Sequence, residues 1–81
     1  MLATAVESTM LATIAYHAPG QLLWLEFRSG AVYCYLGVPP TVHQSLMAAP
    51  SKGDYFNRNI RGCFPYRRQP DADRPTDPAR Q

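Results

Sequence analysis

The stretch LLWLEFRSGAVYCYL, residues 22–36, decides the fold of this 81-residue chain. Apolar and polar side chains alternate on both sides of Arg28-Ser29-Gly30, which is typical of two strands joined by a tight turn. A two-residue turn at Ser29-Gly30 would place the tyrosines of the second strand beside Trp24 and Glu26. A three-residue turn with a left-handed Gly30 would place Tyr33 and Tyr35 beside Leu23, Leu25 and Phe27. We favour the second turn, because it gathers the apolar side chains on one face and leaves Glu26 toward solvent.

The flanking segments predict one more strand and two helices. Thr9 to His17 has strand-forming residues and ends at the turn signal Ala18-Pro19-Gly20-Gln21. Pro39-Pro40 ends the third strand and opens a helix that Pro50 stops. Ser51 can cap a second helix, whose apolar face carries Tyr55, Phe56, Ile60 and Phe64. We therefore predict an α+β fold, a three-stranded antiparallel meander followed by two short helices packed on one face.

Length and composition predict one domain with a tail. Residues 1–68 carry the apolar residues of the domain, whereas residues 69–81 are rich in Pro, Asp and Arg and have no apolar side chain larger than Ala. Such a tail cannot offset the entropy of ordering, so we expect it to be disordered. The domain alone is near the lower limit for an independent fold.

Several functional classes are disfavoured by the residues present. No apolar run has the roughly 20 residues that a membrane helix requires, and the N-terminus is unlike a secretory signal, so we expect a cytoplasmic protein without membrane contact. Cys34 and Cys63 lie far apart, and neither His17 nor His43 has a partner at metal-ligand spacing. No residue pair has the spacing of an acid–base or nucleophilic site. We expect neither catalysis, nor a cofactor, nor a metal.

The positive charge is concentrated late in the domain. Residues 1–69 have six Lys and Arg against three acids, a net charge of +3, and five of the six cations lie between positions 52 and 68. This surface suits a phosphate-bearing partner, although basic residues also keep small domains soluble. The candidate nucleic-acid-binding residues are Lys52, Asn57, Arg58, Arg61, Arg67 and Arg68, with Trp24 or Tyr66 stacking on bases.

Each candidate also has a structural interpretation. Ser51 is a good helix cap, and Asn57 can tie the second helix to the Val38-Pro39 loop. Tyr33 and Tyr35 resemble a stacking platform, but the favoured turn buries them beneath the helices. Trp24 is expected on the opposite, solvent-facing side near Arg28, where it can equally contact a protein.

Taken together, these residues resemble the KTSC family, named for the C-terminus of some lysyl-tRNA synthetases. The resemblance rests on Tyr33-Cys34-Tyr35, Val38-Pro39 and the segment SKGDYFNRNIR, residues 51–61, and it covers about residues 6–68. His17 and His43 depart from it. Such domains occur alone in bacteria and phages and at the end of some synthetases, which implies a nucleic-acid partner.

Two functional hypotheses follow. The first is a module that binds RNA or tRNA through the basic helix at residues 51–61 and the arginines after it. The second is a protein-interaction module that uses a sheet edge or the face of Trp24, Val32 and Leu36. The sequence leaves the oligomeric state open.

Overall fold

The computed structural model describes residues 3–69, which form one antiparallel sheet and two helices. The elements in chain order are β1 (Thr4–Ala5), β2 (Leu11–His17), β3 (Leu22–Phe27), β4 (Val32–Leu36), α1 (Pro40–Ala48), α2 (Lys52–Asn59) and β5 (Tyr66–Gln69). The strands lie in the order β1-β2-β3-β4-β5. The α+β class is confirmed, but the predicted three strands are wrong, because the sheet has five.

The two missed strands form the edges of the sheet, and each has a weak sequence signal. β1 has only two residues, and β5 consists of Tyr-Arg-Arg-Gln without apolar alternation. β5 forms because the chain returns from α2 along the open side of β4, where the Leu36 N–H donates to the Pro65 carbonyl at 2.9 Å. Pairing with β4, rather than burial of its own side chains, therefore accounts for β5.

The turn between β3 and β4 has the three residues that we favoured. Phe27 N–H donates to the Ala31 carbonyl at 2.8 Å, and Gly30, at φ 97°, has the left-handed conformation that this turn requires. Tyr35 consequently pairs with Leu23, and Tyr33 pairs with Leu25. The predicted placement of the tyrosines with the apolar residues of β3 is confirmed.

The helices cover this face of the sheet and close the core. Leu46 from α1, Phe56 from α2 and Ile60 just after it are buried against the strands. The buried strand residues of the same cluster are Leu11, Ile14, Leu23, Leu25 and Tyr35. The prediction that both helices pack on one face is confirmed.

The local helix signals also take effect as predicted. Pro39 is the N-cap of α1, with a proline at the first helical position, and the Ser51 hydroxyl accepts a hydrogen bond from Asp54 N–H at 3.2 Å to cap α2. Between β4 and α1, the Tyr16 hydroxyl donates to the Val38 carbonyl. This bond fixes the start of α1 against β2.

No helix within residues 3–69 combines the length and the apolar character needed to cross a membrane. The tail predicted to be disordered comprises residues 69–81. Its first residue, Gln69, belongs to β5, and residues 70–81 lie outside the described residues. The boundary proposed between domain and tail stays a prediction.

Truncation of Leu46 should destabilise the domain strongly. Its side chain is fully buried and is the buried anchor of α1. We expect Leu46→Ala to lower the free energy of unfolding by about 2–5 kcal/mol through lost burial and the cavity left behind. Gln44→Ala, at an exposed position of the same helix, should change it by less than about 0.5 kcal/mol. Urea unfolding followed by Trp24 fluorescence measures both, and equal stability of the two variants would contradict this packing.

Candidate nucleic-acid interface

β5 brings two of the predicted arginines to one edge of the sheet. Arg67 lies opposite Cys34 and Arg68 opposite Tyr33 in the pairing of β4 with β5. Successive side chains of a strand point to opposite faces, so Arg68 is on the helix-covered face and Arg67 is on the other. Both side chains are exposed. Two guanidinium groups therefore flank the β5 edge, one on each side.

Tyr66 presents an aromatic ring at the same edge. Its side chain is 59% exposed, the one large apolar side chain classed as exposed among residues 3–69. Its ring centroid lies 5.4 Å from that of Tyr33 and 5.4 Å from that of Tyr35. Tyr35 in turn contacts the buried Phe56, with centroids 5.7 Å apart. Tyr66 is thus supported by the core on one side and open to solvent on the other.

Arg61 joins this group from the end of α2. Its N–H donates to the Phe56 carbonyl at 2.9 Å, and Gly62, at φ 77°, then redirects the chain toward β5. Burial, with smaller contributions from Tyr66 and Tyr33, raises the pKa of Tyr35 to about 12, while the charge of Arg61 opposes the increase. The positive charge of Arg61 therefore acts on the tyrosine cluster. We call Arg61, Tyr66, Arg67 and Arg68 the Tyr66 edge.

Asn57 lies four residues before Arg61, in the last turn of α2. Its side chain is exposed, and it makes no hydrogen bond with any other residue in the described range 3–69. The structural role considered for Asn57, a tie from the second helix to the Val38-Pro39 loop, is not seen, and the Val38 carbonyl accepts from the Tyr16 hydroxyl of β2. Asn57 is thus positioned at the border of the Tyr66 edge with its amide toward solvent.

Lys52 and Arg58 are placed apart from the Tyr66 edge. Lys52 Nζ donates to the Ala49 carbonyl at 3.2 Å. Lys52 begins α2, whereas Arg61 follows its C-cap Ile60, so the eight residues of the helix, roughly 12 Å long, lie between them. Arg58 Nε forms an exposed ion pair with Asp54 Oδ1 at 3.1 Å. The basic residues of the predicted helix therefore fall into two groups. Lys52 and Arg58 form one, and Arg61 belongs with the arginines of the Tyr66 edge.

The N-terminus of α2 has little capacity left for an anion. The Ser51 hydroxyl accepts from Asp54 N–H, and the Asp54 carboxylate lies in the first turn. A shallow cavity of about 310 Å³ next to it has the same carboxylate in its wall, and it is lined by Ala49, Pro50, Ser51, Asp54, Tyr55, Arg58 and Asn59. A phosphate here would meet a negative charge, which favours the interpretation of Ser51 as a cap.

Trp24 lies on the sheet face away from the helices, between Ala15 and Cys34. It is half-buried rather than fully exposed, and Arg67 lies in the same row beyond Cys34. Arg28, expected near Trp24, donates instead to the carbonyls of Ser8 and Val6, each at 3.0 Å. The cation that shares this face with Trp24 is therefore Arg67, which the sequence could not show without the register of β5.

The protein-docking face of the second hypothesis is also less open than expected. Val32 is buried, at 1% exposure, and Trp24 and Leu36 are each half-buried. None of these three side chains is mostly exposed on the face without helices.

Burial also shifts the pKa of other titratable groups among residues 3–69. Burial raises the pKa of the Cys34 thiol, with Arg67 opposing, so the thiol form is favoured. His43 stacks on Tyr16 with centroids 4.6 Å apart, and burial lowers the pKa of its imidazole. Within residues 3–69, no group of three His, Cys, Asp or Glu side chains is arranged to hold a metal ion.

Comparison with known proteins identifies the family. The family model of the KTSC domain matches residues 7–64. The chain belongs to the KTSC domain family, as its resemblance indicated. The match includes β2 to α2 and ends two residues before β5. Asn57, Arg58 and Arg61 lie inside it, whereas Tyr66, Arg67 and Arg68 lie outside.

Individual relatives include an enzyme and small proteins. A lysine–tRNA ligase from Nostoc punctiforme is 43% identical over 60 residues, 74% of this chain and 11% of the ligase. The chain therefore spans about a tenth of the length of that ligase. An uncharacterized protein from Stutzerimonas stutzeri is 43% identical over 58 residues, 72% of this chain and 82% of that protein. The crystal structure of a KTSC domain protein from Yersinia pestis has a TM-score of 0.82 and 37% identity, covering 84% of this chain and 96% of that one.

The tyrosine cluster predicts a loss of stability at high pH. The pKa of Tyr35 rises from 10.0 to about 12 on folding, so between these values the unfolded chain has lost a proton that the folded protein keeps. The free energy of unfolding should therefore fall as pH rises through this window. Tyr35→Phe removes the ionising group, and its stability should fall less over the same range. Urea unfolding at several pH values tests this, and parallel curves for the two proteins would contradict it.

Proposed function

We propose that this domain is a small non-catalytic module that binds RNA through the Tyr66 edge. The observation that carries the proposal is the exposed Tyr66 ring, supported by the core and accompanied by Arg61, Arg67 and Arg68. Arginine donates hydrogen bonds to phosphate oxygens, and an exposed aromatic ring offers a surface on which a base can stack.

The charge pattern around this edge supports the same conclusion. Residues 55–69 contain four arginines and no acidic residue. Arg58 is paired with Asp54, which leaves the three arginines of the Tyr66 edge for a polyanion. Lys52 and Arg58 add long-range electrostatic attraction. Asn57 adds an exposed amide at the border of the Tyr66 edge, and Trp24 lies on the sheet face that carries Arg67. Arginine and lysine side chains bind a phosphate backbone by neutralising its charge and releasing its counterions.

The relatives favour RNA over DNA. The lysine–tRNA ligase from Nostoc punctiforme contains a segment similar to this domain, and its name states that its substrate is a tRNA. From this context we infer that the partner of the present domain is RNA. A protein partner is the alternative, and two surfaces were suggested for it. The face of Trp24, Val32 and Leu36 is largely buried, and the open sheet edge at β5 carries two arginines, which favour a polyanion.

Removal of the arginines of β5 should weaken RNA binding much more than removal of equal charge elsewhere. We expect Arg67→Gln with Arg68→Gln to lower affinity for a tRNA by tenfold or more, on the order of 1 kcal/mol per lost charged hydrogen bond. The matched control, Lys52→Gln with Arg58→Gln, removes the same net charge and should lower affinity by less than about threefold. Fluorescence anisotropy titrations measure both.

The salt dependence gives a second test with the same proteins. Binding through the three arginines of the edge should give a slope of log affinity against log salt near −2, from about −0.7 per single-strand phosphate contact. The slope should be smaller by about 1.4 in the β5 double variant and nearly unchanged in the control. An affinity independent of salt, or an equal loss of affinity in the two double variants, would show that β5 is not the binding site.

A further inference from the structure

The outer edge of β5 also carries main-chain groups that point away from the sheet. In an antiparallel pair, hydrogen-bonded and non-hydrogen-bonded residue pairs alternate. Leu36 N–H donates to the Pro65 carbonyl, so Leu36 and Pro65 form a hydrogen-bonded pair. Every second residue of β5 after Pro65 then also directs its N–H and C=O groups toward β4, which applies to Arg67 and Gln69. Tyr66 and Arg68 therefore point theirs outward. β5 is last in the strand order, and no residue in the range 3–69 forms a hydrogen bond with these outward groups.

The charge of β5 disfavours pairing with a second copy of the chain. Two β5 strands joined antiparallel through the outward groups of Tyr66 and Arg68 bring Arg67 opposite its own copy. Like charges directly opposite each other destabilise a strand pair, and charged residues commonly protect sheet edges in this way. The edge therefore suits a negatively charged, extended ligand.

We propose that this edge binds single-stranded RNA, with the main-chain N–H groups of Tyr66 and Arg68 donating to RNA oxygens and one base stacking on the Tyr66 ring. The inference rests on the proposed function and specifies its ligand. A single strand can turn a base face onto Tyr66, whereas base pairing and stacking in a duplex cover those faces. The two N–H groups are two residues apart, about 7 Å along a strand, so they follow an extended ligand.

The main-chain contacts can be tested on the wild-type protein. NMR spectra of the amides are recorded during titration with oligouridine and with a fully paired RNA duplex of equal length. We expect oligouridine to bind at least tenfold more tightly than the duplex. The amide signals of Tyr66 and Arg68 should shift, and those of Arg67 and Gln69, whose N–H groups face β4, should shift much less. These inward amides are the internal control.

The stacking contact is tested at Tyr66. Tyr66→Ala should weaken oligouridine binding about fivefold or more, the loss expected for one stacked base. Tyr66→Phe keeps the ring and should bind nearly as well as the wild type. The amide spectra of both variants show whether β5 remains paired with β4. If Tyr66→Ala disturbs the strand, the single-strand inference is still tested by comparing the affinities of the wild-type protein for the duplex and for oligouridine.

The outcomes separate this inference from the proposed function. Equal affinity for duplex and single strand, or shifts confined to α2, overturns the single-strand inference and leaves RNA binding standing. If neither RNA binds at low salt, the proposed function itself is contradicted. Shifts of the Tyr66 and Arg68 amides with an oligoglutamate peptide, and none with RNA, overturn both and assign the edge to an acidic protein segment.

Discussion

The register of β3 with β4 is the constraint on which the rest of this structure depends. A strand presents its side chains alternately, so a slip of one residue would exchange the two faces of β4. Gly30 prevents that slip, because its left-handed conformation closes a turn of three residues. Tyr33 and Tyr35 thereby join Leu25 and Leu23 under the helices. With the other register, Cys34 would face α2, and the tyrosines would lie on the opposite face.

The same register connects the core with the proposed binding edge. Phe56 of α2 contacts Tyr35, and Tyr35 contacts Tyr66 of β5, so one series of aromatic rings runs from the interior to the surface. Aromatic contacts of this kind hold each ring in a defined orientation. The exposed ring therefore does not have to be ordered when a ligand binds, which lowers the entropy cost of recognition.

The sequence allowed prediction of every element whose own residues carry a signal. The alternation in β3 and β4, the prolines before α1 and the cap at Ser51 each act locally, and each is confirmed. β1 and β5 could not be predicted, because their residues are polar or few and the strands exist only through pairing with a neighbour. Knowledge of β5 was needed to place Arg67 and Arg68 on opposite faces. The division of charge along α2 likewise became visible only with the ion pair of Arg58 and Asp54.

The meander order of the strands has a consequence for how this fold can be attached to another protein. β1 and β5 occupy opposite margins of the sheet, separated by four strand spacings or about 19 Å. A neighbouring domain connected ahead of β1 stands at the far margin from Tyr66. Such a fusion leaves the arginine-bearing margin accessible, so the fold can serve as an appendage without rearrangement of its sheet.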